Sequence, residues 1–139
     1  MKLTRTQIIL LAGAGIVLIY LIQKGVFKAD KGYNLDPEQN AQDGSTPTMD
    51  NNQSRNIAVS HRNALLDNNI DSSIFVGSCR QLLGLTDANL LSVSNAYNSL
   101  YVNDSYNTLR SLLTQEWTIY SDSIKAKNDL LQRYSRLGI

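Results

Sequence analysis

Cysteine and histidine are almost missing from this chain of 139 residues, which has Cys79 and His61 and no other of either kind. A lone cysteine excludes an internal disulfide and a cysteine-built metal cage. A lone histidine excludes a multi-histidine zinc site. Glutamate occurs only at Glu38 and Glu116, which thins the choice of general acids and bases. Neither sign of charge dominates, with 13 basic and 12 acidic side chains, so the footprint of a nucleic-acid binder is absent. No phosphate-binding glycine loop, dinucleotide fingerprint or Asp-x-Asp-x-Asp-Gly calcium loop occurs. Polarity rests instead on 14 Asn, 14 Ser and 8 Gln. No cofactor or metal is expected.

One long hydrophobic run is present. From Ile8 to Ile22 there is no charge and no amide. That run makes about 22 Å of helix, whereas a bilayer core of about 30 Å asks for about 20 residues. The deficit closes if the flanks from Leu3 and up to Phe27 join, with Lys24 snorkelling toward the headgroups. Ile8, Ile9, Leu10, Leu11, Ile16, Val17, Leu18, Ile19, Tyr20, Leu21 and Ile22 are the predicted anchor residues. A secretory signal would share the basic start, but no small-x-small cleavage site follows the run. A buried core helix would not carry basic residues at both ends. Residues 1–28 are therefore predicted to form a single transmembrane helix. Lys2 and Arg5 on one side balance Lys24, Lys28 and Lys31 on the other, so the positive-inside rule leaves the topology open.

Residues 29–54 hold both prolines, Pro37 and Pro47, and no Ile, Val or Phe. Such a stretch buries too little apolar surface to offset its ordering entropy, and is predicted to be an extended or disordered linker. Residues 55–139 read as helices only. Ala58, His61, Leu65 and Leu66 mark a first face, and Ile74, Phe75, Ser78, Cys79, Leu82 and Leu83 a second that stops at Gly84. Thr86 caps a third helix with Leu90, Val93, Tyr97 and Leu100 on its stripe. Asn103 to Ser105 caps a short fourth helix bearing Leu109 and Leu113. A last helix carries Trp117, Tyr120, Ile124, Leu131 and Tyr134. The predicted core is Leu90, Val93, Tyr97, Leu100, Leu109, Leu113, Ile124 and Leu131. The fold class is all-α: an N-terminal transmembrane helix, a linker and a small five-helix bundle.

The run Leu85-Thr86-Asp87-Ala88-Asn89-Leu90, followed by Ala96-Tyr97, resembles the third helix of an annexin repeat. Ser105 to Glu116 is similar to that family's short fourth helix. The resemblance covers about Ala58 to Tyr134, one repeat, and implies five short helices. It does not extend to calcium. The family's calcium loop is glycine-rich, whereas this chain has Asn68-Asn69-Ile70-Asp71 there, so calcium-dependent binding is not carried over.

No group of residues makes a catalytic constellation, and no catalytic residue is assigned. His61 and Cys79 fall on apolar stripes, where a core role is the default. Glu116 sits in Thr114-Gln115-Glu116-Trp117, which reads as a helix junction, and lysozyme-type domains that use such an acid are larger than this body. Lys125, Lys127, Arg133 and Arg136 are offset by Asp122 and Asp129. The predicted function is that of a non-enzymatic, membrane-anchored structural or interaction protein. In overall build it resembles small virion proteins of membrane-containing bacteriophages, which implies a link between an internal membrane and a capsid layer. A bacterial envelope protein displaying a helical binding module is the alternative. The expected partners are a lipid bilayer and capsid or envelope proteins, not nucleic acid.

Overall fold

The computed structural model describes residues 34–66 and 72–139. Over these residues the chain is all-helical, with six helices and no strand. They are α1 (Pro37–Asn40), α2 (Asn51–Leu66), α3 (Ser72–Leu83), α4 (Asp87–Leu100), α5 (Leu109–Gln115) and α6 (Ser121–Leu137). The predicted anchor, residues 1–28, lies outside the described residues. Among the described helices none is long and apolar enough to cross a membrane.

Local chemistry sets the boundaries. Asp50 accepts from the Gln53 backbone N–H at 2.8 Å, and the Gln53 side chain accepts from the Asp50 N–H at 2.9 Å. This reciprocal capping box starts α2 at Asn51, so residues 51–54, predicted as linker, belong to the helix. Thr86 caps α4 as its sequence predicts, accepting from Asn89. The fourth body helix starts later than predicted. Thr108 and Ser111 form its capping box, while Asp104 is engaged in its own turn, accepting from the Tyr106 N–H. Gly138, at φ 75°, takes the left-handed position that closes α6.

Helix α2 packs on α4, and α3 packs on α6. Contacts along the helices fix their directions. Thr48 and Met49, just before α2, meet Asn89 at the start of α4, and Arg62 further along α2 meets Tyr97. These two helices therefore run in parallel. His61 meets Ser78 across α2 and α3, which are antiparallel neighbours. Arg133 near the end of α6 reaches the Leu82 and Leu83 carbonyls at the end of α3, and Asp87 at the start of α4. One pole of the bundle thus gathers the starts of α2 and α4 and the ends of α3 and α6. The other gathers the remaining ends, with α5 and its flanking loops.

The core joins all five body helices around Leu82, Leu90, Leu91, Val93, Tyr97, Leu109, Leu112, Leu113, Leu130 and Tyr134. Of the predicted core, Leu90, Val93, Tyr97, Leu109 and Leu113 are fully enclosed, and Leu100 and Leu131 are half-buried against it. Ile124 is 41% exposed, a correction with a simple cause. The buried stripe of α6 runs through Ser123, Ala126, Leu130, Tyr134 and Leu137, and Ile124 lies one residue, about 100° of helix, off that line. Trp117 and Tyr120 precede α6 and are not part of its stripe.

Candidate functional site

Residues 34–50, predicted as a free linker, run along α4 and are fastened to it. The Asn95 side chain accepts from the Leu35 N–H at 3.1 Å and donates to the Leu35 carbonyl at 2.7 Å. The Asn89 side chain accepts from the Thr48 N–H at 2.9 Å and donates to the Thr48 hydroxyl at 2.9 Å. Gln42 donates to the Arg136 carbonyl, and Ser45 accepts from the Ala88 N–H. The segment has no Ile, Val or Phe, and Leu35 and Met49 near its ends pack against the core. Beside these two anchors, Asn89 and Asn95 of α4 satisfy backbone groups of the strap.

The polar pole centres on Asp87, which is 1% exposed. Its carboxylate accepts from Arg133 Nε at 3.2 Å and Nη2 at 2.9 Å, and from Arg136 Nη2 at 2.9 Å. Asp43 and Asp87 also exchange bonds, each carboxylate accepting from the other's backbone N–H. Arg133 donates in addition to the carbonyls of Leu82, Leu83 and Leu85, covering the end of α3 with a cation. The C-terminal basic residues divide here. Arg133 is an internal tie, whereas Lys125 pairs with exposed Asp129 and Lys127 donates to the Thr114 and Glu116 carbonyls.

At the opposite pole Arg62 gathers the aromatic residues. It donates to Tyr97 Oη at 2.8 Å and to Asp104 at 2.7 Å, and its guanidinium lies 4.2 Å from the Tyr101 ring centre. Tyr97 Oη donates in turn to the Tyr106 carbonyl, so the loop after α4 is tied to the core. Between strap, α2 and α4 lies an open groove of about 360 Å³. Its lining mixes Asn51, Ser54, Ser92, Asn95 and Ser99 with Pro37, Met49 and Ala96, and Arg55 is its cation.

His61 and Cys79 are fully buried, as their stripes predict. His61 Nδ1 meets Ser78 Oγ at 2.6 Å, not Cys79, and its Nε2 has no partner. Burial pushes the Cys79 thiol up to about 12, far from a reactive thiolate. Glu116, half-buried, has its carboxyl raised by desolvation, and lies beside Gln115 and Lys127. Among the described residues no group of three His, Cys, Asp or Glu side chains is placed to hold a metal.

Burial also pulls the His61 imidazole down to about 4. The unfolded chain takes up this proton near its ordinary value of 6.5, so it binds more protons than the fold between those limits. Stability therefore falls as pH drops from about 6.5 toward 4, by about 2 kcal/mol at pH 5. Asp43 does not mask this window. The Ser45 hydroxyl and the Asp87 N–H hold its carboxyl down to about 2, so its contribution is lost only in stronger acid. His61→Asn keeps an amide where Nδ1 meets Ser78 and cannot titrate. Urea midpoints at pH 7 and pH 5 are expected to separate for the parent and to nearly coincide for the variant. Equal losses in both proteins would exonerate His61.

Large apolar side chains in solvent concentrate at the pole opposite Asp87. Trp117 is 83% and Ile119 63% exposed, and Tyr120 and Ile124 follow on the way into α6. Val102 after α4, Ile74 in the first turn of α3 and Leu66 at the end of α2 are exposed at the same end of their helices. Comparison with protein-family models, with curated proteins and with solved structures gave no match.

Proposed function

We propose that this chain is a non-enzymatic structural protein, anchored in a bilayer by residues 1–28, whose helical head holds a protein layer close to that membrane. The strap carries this reading. With residues 35–50 fastened to α4, the chain available between anchor and head comes down from the whole linker to the stretch between Phe27 and Leu35. Eight residues span at most about 28 Å. A head so held is a short-range spacer, in which a load on the anchor passes directly to the central helix. The neutral groove beside the strap suits a protein partner, since amides and hydroxyls cost less to desolvate than charges. Within this reading the body is an annexin-like repeat without calcium, and its setting is a virion with an internal membrane.

Deleting residues 1–28 is expected to release a soluble protein with the helical circular dichroism of the head. If the shortened chain still pellets with carbonate-washed membranes, the anchor assignment fails. Fractionation of the native source tests the setting. Co-purification of the intact chain with a capsid layer supports the virion link; recovery in bulk cell membrane alone replaces it with the envelope-display reading.

A further inference from the structure

We infer that the apolar pole, built on Trp117, Ile119, Tyr120, Ile124 and Val102, is a second membrane contact that seats the head on the lipid–water interface of the bilayer holding its anchor. The inference rests on the anchor reading above and adds an orientation to it.

The direction of the strap is the first argument. It meets the start of α4 at Asn89 and, going back toward the N-terminus, meets Asn95 through Leu35. Six helical residues are about 9 Å, so at Leu35 the strap has moved about that far along α4 from the Asp87 pole toward the apolar one. From Asn95 to the end of α4 is a shorter distance than that. The eight residues from Phe27 to Leu35 reach at most about 28 Å, so under the anchor reading the membrane edge lies within that distance of the strap's end.

The chemistry of the pole is the second argument. Tryptophan and tyrosine favour the interfacial layer, where the ring is shielded and the polar edge stays wet. Branched aliphatic side chains beside them add apolar area that water now covers. The pole carries no cationic excess: Lys125 is paired with Asp129, and Lys127 is engaged by the Thr114 and Glu116 carbonyls. Glu116 and Asp122 outnumber Arg110 nearby in sequence. Binding therefore draws on ring and aliphatic insertion, not on anionic lipid. Seating this pole on the bilayer turns the Asp87 pole outward, toward a protein layer.

Trp117 is the only tryptophan in the chain and reports directly. The full chain is placed in phosphatidylcholine nanodiscs, whose two faces are both open to solvent. Trp117 emission is expected to be blue-shifted and its quenching by iodide severalfold weaker than in the urea-unfolded chain. Lipids brominated near the headgroup should quench it. Ile119→Asp, at an exposed position, should restore iodide access while circular dichroism stays unchanged. A Trp117 fully open to iodide in chains that resist carbonate extraction overturns the docking and leaves the anchor standing. Chains stripped by carbonate overturn both. Shielding from iodide without quenching by brominated lipid means that a second copy or another protein covers the pole, which also overturns the inference. A requirement for phosphatidylglycerol would replace apolar insertion by electrostatic adsorption and sink it as stated.

Discussion

Arg133→Met is expected to destabilise the head by about 3 kcal/mol or more, the cost of leaving a buried charge without its main partner. Asp87 is 1% exposed and Arg133 13%. The methionine would fill much of the arginine's volume, yet it would leave the Asp87 carboxylate with Arg136 and one backbone N–H. It would also remove the cation from the carbonyls that end α3. Arg136→Met is the control. That side chain is half exposed, and a solvent-screened pair contributes about 1 kcal/mol or less. Arg133→Lys should fall between the two, since an ammonium keeps the charge but cannot span Asp87 and three carbonyls with a planar fork. Chemical unfolding of the full chain in detergent, followed by circular dichroism, measures all three. Equal losses for Arg133→Met and Arg136→Met would mean that Asp87 is adequately held by either arginine.

This tie also explains why the sequence conceals part of the structure. Helices α2 to α4 were legible because Leu65, Leu82, Leu90 and Val93 recur at helical spacing and Thr86 is a conventional cap. The strap was not, because nothing in Asp43, Thr48 or Leu35 signals where its partners lie. Its bonds run from backbone groups to Asn89 and Asn95, 41 and 60 positions away, and such bonds have no periodicity. Asparagine on a helix face reads as solvated polarity, yet Asn89 is buried. One signal was available and missed. Asp50-x-x-Gln53 is a capping box, and would have placed the start of α2 at Asn51 instead of 55.

The exposed pole was hidden for the opposite reason. Trp117 and Tyr120 look like core anchors in a list of apolar residues, because large aromatics are buried on average. Their place depends on where α6 begins. Lys127 folds back on the Glu116 carbonyl, the helix starts at Ser121, and Trp117, Ile119 and Tyr120 before it turn outward. Spacing alone could not separate a stripe that reaches the core from a loop that merely precedes it. The conjunction of that loop with the strap's direction needed the three-dimensional fold, and it is what gives the head a top and a bottom.

A graded series of truncations separates the two kinds of apolar residue. Leu90→Ala removes a side chain with no exposure from the first turn of α4. A buried leucine truncated to alanine costs about 2–5 kcal/mol, and in a bundle of this size each kcal/mol lowers the melting temperature by about 4–8 °C. Leu113→Ala, equally buried in α5, should fall in the same range. Leu100→Ala should cost less, because that side chain only lines the edge of the core and keeps part of its surface in water. Ile124→Ala should leave the stability of the detergent-solubilised chain within about half a kcal/mol of the parent, as exposed positions do. Sequence periodicity alone ranks Ile124 with Leu90; the fold ranks it with Trp117. If Ile124→Ala melts the head as Leu90→Ala does, the face of α6 is wrongly placed and the apolar pole loses one of its members. If it leaves the head intact but frees Trp117 to iodide in phosphatidylcholine nanodiscs, Ile124 serves the membrane contact and not the core.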